Sequence, residues 1–270
     1  MAIIQWEETL ACLEIESLGP DVFTAPNIPM PYRRVFGGQL LAQIICVAAK
    51  TANAKDVKSL HATFPAEGDL AEPVEYRVER QREGRTFAHR VIVGEQAGEA
   101  IVAANISLHC PEEGLLHQAE MPALGEPDAA TPMELSMIPW ETRVVDGVDL
   151  ASREVGPPSY AFWMRTPAFV GDPVAHQALL AHATDLTAIG TSLRPHAGLG
   201  EQDSPEKIQT AVTSHSLWFH RRLRVDDWLL LRQESPIVAG GRGFARGNVY
   251  ARNGELVASF AQESMLRPIS

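Results

Sequence analysis

The stretch YRVERQREGRTFAHRVIVGEQAGEAIVAANISL (76–108) holds the most informative pattern in this chain, because that pattern returns later. Apolar and polar residues alternate in three runs, and turn-forming residues around Gly84 and Gly98 separate the runs. Such alternation is typical of β-strands that bury one face. We therefore expect three antiparallel strands joined by tight turns.

The same plan recurs in WLLLRQESPIVAGGRGFARGNVYARNGELVASFAQE (228–263). The motif GRTF at 84–87 matches GRGF at 241–244, and Gly-Glu at 98–99 matches Gly-Glu at 254–255, at a nearly constant offset. A repeat with so long a period indicates a duplicated domain and not a solenoid of short units.

A helical stretch precedes each set of strands. The first, GGQLLAQIICVAAK (37–50), is apolar on nearly every side, which suits a helix enclosed by a sheet. The second is predicted to run from Pro173 to Leu193, since proline is favoured in a first helical turn. A central helix followed by antiparallel strands, present twice, predicts an α+β double hotdog: two hotdog repeats, each a long helix wrapped by an antiparallel sheet.

The pattern divides the chain into three predicted parts. These are an amino-terminal hotdog at 1–112, a linker at 113–156 and a carboxy-terminal hotdog at 157–270. The linker is rich in proline, glycine and acidic residues and lacks periodicity, so we expect it to cross the surface.

The composition excludes several classes of protein. An apolar content of 45% and a charged content of 21% are those of a globular protein. No apolar run approaches the roughly 18 residues that a membrane span needs. A net charge of −11 argues against a nucleic-acid partner, which requires a basic footprint. Local arginine clusters either bind a phosphorylated ligand or lie on the solvated surface.

Three scattered cysteines and the first residues of the chain bear on its compartment. The cysteines form no CxxC pair and their number is odd, which favours reduced thiols over disulfides or a zinc site. The amino terminus has no basic segment before an apolar run, so a secretory signal is not expected. We expect a cytoplasmic protein without a metal.

Four runs resemble the type II acyl-CoA thioesterases, the TesB-like double-hotdog enzymes. They are VFGGQLLAQ (35–43), SLHATFPAEGD (59–69), HSLWFHRRLRVDDWLL (215–230) and LVASFAQESMLR (256–267). The resemblance implies hydrolysis of fatty acyl-CoA to free fatty acid and CoA by an activated water. It also implies that no cofactor, metal or covalent intermediate takes part, and that the chain forms a homo-oligomer, a dimer or larger.

The resemblance also implies three groups that hold the water: an Asp on the second helix, a hydroxyl residue on the strand just before the HSLWFH run, and a Gln on the last strand. By position, Asp185 and Gln262 are the acid and the amide, whereas Val212 occupies the hydroxyl position. Strand alternation places Ser214 on the face of Val212, and a bulge would instead turn Thr213 inward. Ser214 and Thr213 are thus both candidate catalytic residues.

Each candidate also has a purely structural interpretation. Asp185 lies among apolar residues, where burial raises a carboxyl pKa as a general base requires, but it could instead cap a helix kink. A buried Gln262 must be paired, either with a water or with the backbone. His215 and His220 show no acid partner in the pattern, so we expect satisfied core or rim histidines.

Glycines at the start of the first helix offer backbone N–H groups to the thioester oxygen, or else permit close packing. The candidate substrate-binding residues are Gly37, Gly38, His61 and Arg242. The first helix carries no acid, so the amino-terminal hotdog is expected to be non-catalytic.

Two other functions compete with hydrolysis. The absence of a hydroxyl at Val212 favours an acyl-CoA binding or sensing protein whose hydrolysis has decayed. A hotdog hydratase would need an Asp/His pair near one helix, and His182 with Asp185 is a weak match for it. The chain has no G-x-S-x-G motif, which disfavours a serine hydrolase.

Overall fold

The computed structural model describes residues 4–30, 33–52, 54–135 and 137–269, which form a single antiparallel sheet of 13 strands and four α-helices. The helices are α1 (Trp6–Ala11), α2 (Gly37–Lys50), α3 (Pro173–Thr184) and α4 (Ala188–Leu193). The strands of the first half are β1 (Glu16–Gly19), β2 (Val22–Ala25), β3 (Asp56–Thr63), β4 (Val74–Glu83), β5 (Phe87–Gln96) and β6 (Glu99–His109). Those of the second half are β7 (Thr131–Pro132), β8 (Glu141–Val144), β9 (Ser159–Arg165), β10 (Ile208–Phe219), β11 (Leu229–Ala239), β12 (Arg242–Ala251) and β13 (Leu256–Pro268).

The strand order confirms the duplication. It runs β1-β2-β4-β5-β6-β3-β10-β13-β12-β11-β9-β8-β7, so the first half ends at β3 and the second begins at β10. Outward from this seam, β3-β6-β5-β4-β2 and β10-β13-β12-β11-β9 follow the same connectivity. The α+β class and the two sets of three strands predicted from alternation are therefore correct.

Helix α2 is enclosed as its composition predicts. Every residue from Gly38 to Ala48 is buried. Burial of each large aliphatic side chain contributes about 1.5–3 kcal/mol, so the helix is a main source of stability. It packs against α3, and a Cβ on Gly38 would lie 2.4 Å from the carbonyl oxygen of His182, so only glycine permits this approach.

Polar groups buried on α2 are satisfied within the first half. Tyr76 donates to Gln43 Oε1 at 2.6 Å, and the Gln43 amide donates to the carbonyls of Cys12 and Pro26 at 2.9 and 2.7 Å. Gln39 accepts from the backbone N–H of Ile28 at 2.8 Å. Because these side chains are hydrogen-bonded to one another and to the backbone, they stabilise the fold and leave few donors or acceptors for a substrate.

The structure differs from the sequence-based expectations in three elements. The helix predicted from Pro173 to Leu193 is interrupted, since α3 ends at Thr184 and α4 begins at Ala188. The expected linker is exposed over much of 111–126 but then contributes β7 and β8 to the sheet edge. The short elements α1, β1 and β2 near the amino terminus are additions that the pattern does not predict. Within the described residues, no helix is both long and apolar enough to cross a bilayer.

Candidate active site

Asp185 lies at the break between α3 and α4. It is the C-cap residue of α3 and only 4% exposed. Just before it, the Thr184 hydroxyl lies 3.0 Å from the Ala181 carbonyl, a local bond that competes with helix continuation. The helix kink that the structural interpretation of Asp185 requires is present between α3 and α4, but the Asp185 carboxylate does not cap it. Its Oδ1 is buried without a hydrogen-bond partner among the described residues.

The start of α2 approaches this carboxylate from the other half of the chain. Asp185 accepts a hydrogen bond from the backbone N–H of Gly38, and a Cβ on Gly37 would lie 2.7 Å from its Oδ2. Burial raises the pKa of Asp185 to about 7, although the Gly38 bond and the charge of Arg34 oppose the rise. Near neutral pH the group therefore exchanges a proton readily.

Gln262 approaches the same region from β13. It is 1% exposed and lies directly opposite His215 in the β10–β13 pairing. The two side chains are bonded, with His215 Nδ1 2.9 Å from Gln262 Oε1. The Gln262 amide nitrogen donates to the hydroxyl of Ser264 at 3.1 Å.

The His215 ring lies next to both the acid and the amide. Its Nδ1 lies 3.9 Å from Asp185 Oδ1, so Asp185 and Gln262 border the same ring atom. Its Nε2 lies 3.1 Å from the Thr184 hydroxyl. Burial lowers the pKa of His215 to about 4, so the ring is neutral at pH 7 and the contact with Asp185 is not an ion pair.

The sequence predicts His215 as a satisfied core histidine, which is correct, but does not reveal its place beside Asp185. A signal is available in the strand pattern: His215 and Gln262 both carry polar groups at positions that alternation assigns to the buried face. The pairing that brings them together is a contact between distant strands and cannot be read from either strand alone.

A bulge on β10 corrects the prediction for Ser214. The β10–β13 register pairs Val212 with Ser264 and Ser214 with Glu263, so Thr213 is the extra residue. Directly opposite residues share a face, and Gln262 and Glu263 point to opposite faces. Ser214 therefore lies on the face away from Gln262, and the expectation that it shares a face with Val212 is wrong.

The bulge expected as the alternative exists, but it does not bring Thr213 to the face of the sheet that carries Gln262. The Thr213 hydroxyl bonds the Glu263 backbone carbonyl at 3.0 Å and lies 3.3 Å from its carboxylate. The side chains of Thr213 and Glu263 lie on the outer side of the sheet, because the extra residue of the bulge reverses the alternation of β10. Neither predicted hydroxyl lies with Asp185 and Gln262.

Two of the candidate substrate-binding residues also lie on the outer side. His61 is exposed, and its Nδ1 is 3.1 Å from the Ser216 hydroxyl. Arg242 is exposed and lies 3.2 Å from Glu263 Oε2. These contacts place both on the side of the sheet away from Gln262, whereas Gly37 and Gly38 lie next to Asp185.

Further polar atoms at the end of α3 are buried without a protein partner among the described residues. They are both ring nitrogens of His182 and the hydroxyl of Thr187. Burial lowers the pKa of His182 to about 4, so this ring is neutral too. Unpaired buried groups are costly, about 1–3 kcal/mol each, and their concentration around Asp185 indicates a place for water or a polar ligand.

Comparisons with known proteins agree on one family. A model of the acyl-CoA thioesterase N-terminal domain matches residues 25–109, and a model of the acyl-CoA thioesterase C-terminal domain matches residues 113–266. The chain is 31% identical to acyl-coenzyme A thioesterase 8 of Mus musculus, over 94% of this chain and 87% of that protein.

Solved structures show the same similarity. The acyl-CoA thioesterase II TesB2 of Mycobacterium marinum superposes with a TM-score of 0.84 at 31% identity, covering 97% of this chain and 99% of that one. A protein described as having a hot dog fold, from Alicyclobacillus acidocaldarius, superposes with a TM-score of 0.79 at 18% identity, covering 97% and 98%. The latter supports the hotdog fold alone.

Proposed function

This chain belongs to the acyl-CoA thioesterase family, and from that premise we propose that it hydrolyses fatty acyl-CoA by attack of a water held between Asp185 and Gln262. The observation that supports this proposal is the unpartnered Asp185 Oδ1, buried 3.9 Å from the ring nitrogen that binds Gln262. A free carboxylate oxygen next to a fixed amide can accept one proton from a water while the amide holds the water oxygen.

Asp185 acts as the general base in this scheme. It takes a proton from the water as the water oxygen forms a bond to the thioester carbonyl carbon. The tetrahedral intermediate then expels CoA as a thiolate and releases the carboxylic acid, and the thiolate takes the proton back from Asp185, which restores the ionised base. A base with a pKa of about 7 suits a reaction at neutral pH, because much of it is ionised and it is still basic enough to remove a proton.

Gln262 and His215 keep the water in place. His215 Nδ1 donates to the Gln262 oxygen, which directs the amide NH₂ group away from the ring. One of its protons binds Ser264, and the other is available to the water oxygen. Because His215 is neutral, it orients the amide and adds no charge to the site.

The first turn of α2 is the proposed binding place for the thioester oxygen. The helix begins at Gly37, so the first N–H groups are not used by bonds within the helix. Gly38 N–H already binds Asp185, which leaves that of Gly37 to face the developing oxyanion. His61 and Arg242 have no part in this scheme.

Replacement of Asp185 tests the proposal, and Glu201 offers a matched control. Glu201 is another carboxyl whose pKa burial raises to about 7 and which accepts a glycine N–H, that of Gly190. We expect Asp185→Asn to lower CoA release by about 10²–10⁴-fold, and Glu201→Gln to change it less than about twofold. Equal activity of the two variants would remove Asp185 from the mechanism.

Measurements of acyl-CoA binding and CoA release by the wild-type protein distinguish hydrolysis from the alternative of acyl-CoA binding or sensing. Val212 places no hydroxyl on the face of β10 that lies beside Gln262 and Ser264, which is the observation that favours decayed hydrolysis. That alternative predicts that acyl-CoA binds while free CoA does not accumulate. Measuring both across acyl chain lengths would also define the preferred substrate.

The cellular compartment and the oligomeric state of the chain stay predictions. The three cysteines are free thiols, which supports a reducing, cytoplasmic location. Trp218, Ile237 and Phe244 are each more than a third exposed, which supports a homo-oligomer through the outer side of the sheet. Light scattering coupled to size-exclusion chromatography would measure the oligomeric state. Catalysis without a metal or cofactor is likewise a prediction.

A further inference from the structure

Ser264 places a buried hydroxyl beside Gln262, at a position that the motif pattern does not predict. It lies two residues after Gln262 on β13, so both side chains face the same side of the sheet. It is 3% exposed, and its Oγ accepts from the Gln262 amide at 3.1 Å. We propose that Ser264 is a positioning residue that holds the Gln262 amide in the orientation that binds the attacking water.

The bonds of Gln262 explain why one more hydroxyl matters. A glutamine amide has an oxygen acceptor and two N–H donors. His215 holds the oxygen at 2.9 Å, and Ser264 holds one N–H. With both anchors in place, the second N–H has a single direction. Without Ser264, rotation about the last side-chain bond is restrained at the oxygen alone, and a buried donor is left unpaired.

The pairing of β10 with β13 shows that this hydroxyl comes from β13, because the residue opposite it on β10 is a valine. Val212 lies directly opposite Ser264 in the register, before the bulge reverses the alternation of β10. Side chains at directly opposite positions have Cβ atoms about 4.5–5.5 Å apart, so a hydroxyl at either position serves nearly the same volume. Thr213, the bulged residue, and Ser214, which follows it, do not reach it.

The inference rests on the proposed function, since a positioning role has meaning only if the water attacks a thioester. The experiment compares kcat and KM of wild type, Ser264→Ala, the double variant Val212→Thr/Ser264→Ala, and Ser235→Ala. Ser235 is a matched control, because it is 4% exposed and its hydroxyl donates to the Phe244 carbonyl on a different strand pair. Thermal melting of each variant shows whether the fold is intact.

We expect Ser264→Ala to lower kcat about tenfold or more with KM within about twofold, because misplaced catalytic groups lose rate and not binding. Ser235→Ala should keep wild-type kcat. The double variant should regain much of the lost kcat, because its Val212→Thr change returns a hydroxyl directly opposite position 264, from the neighbouring strand.

Two results would overturn the inference while leaving the proposed function intact. One is a kcat for Ser264→Ala equal to that of Ser235→Ala. The other is a double variant that melts like wild type but stays as slow as Ser264→Ala, which would show that a hydroxyl in this volume does not orient the Gln262 amide. Wild-type protein that releases no CoA would instead overturn the proposed function itself.

Discussion

The fold stabilises the protonated form of the Asp185 carboxyl group, whereas the proposed mechanism requires the ionised form. Burial is the larger influence and raises its pKa to about 7, while the Gly38 N–H and Arg34 act in the opposite direction. A neighbouring imidazole does not compensate, because burial also lowers the pKa of His215 to about 4. The result is a base whose state changes within the physiological pH range.

This titration predicts the pH dependence of hydrolysis. The base must be deprotonated, so kcat/KM should rise about tenfold per pH unit below pH 7 and level off above it. His215 has a pKa of about 4, so it adds no inflection at neutral pH. Steady-state rates at saturating and limiting acyl-CoA across the neutral range would measure the profile. A profile that is flat or falls with pH would contradict the assignment of Asp185 as base.

The same shift predicts that Asp185→Asn stabilises the protein at alkaline pH. The folded pKa of about 7 exceeds the ordinary value of 3.8, so the stability from this carboxyl is full below pH 3.8 and is lost as the pH rises to about 7. An amide has no such loss. The variant should therefore exceed wild type in Tm at about pH 8, by about 2–4 °C per kcal/mol gained, and by less at about pH 5.

Glu201→Gln provides the comparison for this stability effect. Its carboxyl has a pKa raised to about 7 by the same cause, so its Tm should follow the same pH trend while activity is retained. Melting curves of both variants on the acidic and alkaline sides of that pKa would show it. A Tm of Asp185→Asn below wild type under alkaline conditions would mean that the carboxylate makes bonds that outweigh its burial.

At the scale of elements, two adjacent glycines of α2 meet different neighbours. A Cβ on Gly37 would approach the Asp185 side chain at 2.7 Å, whereas one on Gly38 would approach the backbone oxygen of His182 at 2.4 Å. A carboxylate at the end of a side chain can move, but a backbone carbonyl in a packed helix cannot do so cheaply.

These contacts predict distinct effects of two alanine substitutions. Gly37→Ala should displace Asp185 and lower kcat about tenfold or more with a Tm near wild type. Gly38→Ala should separate α2 from α3 and lower the free energy of unfolding by about 1–3 kcal/mol. Kinetics and thermal melting of the two variants side by side would measure both effects. The reverse assignment of effects would contradict the geometry of the α2–α3 contact.

The whole molecule depends on both halves for one site. Strand β10 of the second half pairs with β3 of the first, and Asp185 takes its backbone hydrogen bond from Gly38. Separation would expose the apolar face that α3 buries against α2 and would leave the edge of β10 unpaired. The first half therefore supports the site although its central helix carries no acid.

A split chain tests this dependence. We expect residues 157–270 produced alone to show no cooperative thermal transition and no acyl-CoA hydrolysis. Production together with residues 1–156 should restore both, because the seam and the α2–α3 contact can form again. Circular dichroism and CoA release would measure the outcome. An active, cooperatively folded second half would show that the first half is not required.

Local sequence alone determined the repeated units. Alternation and turn residues correctly predicted the strands on either side of Gly84 and Gly241, and the all-apolar pattern of 37–50 correctly predicted an enclosed helix. These features depend on neighbours a few residues apart, which a sequence displays directly. Asp185 and Gln262 were indicated as the acid and the amide only by the resemblance to the family's motifs, and their catalytic roles stay predictions.

Only the tertiary structure decided which hydroxyl stands beside them. One extra residue in β10, Thr213, reverses the alternation, so Ser214 turns outward and Ser264 on another strand lies with Gln262. Counting along one strand cannot reveal a bulge, because its position depends on the pairing with β13. The approach of Gly38 to Asp185 is of the same kind: residues so far apart in the chain meet only when α2 and α3 pack within the sheet.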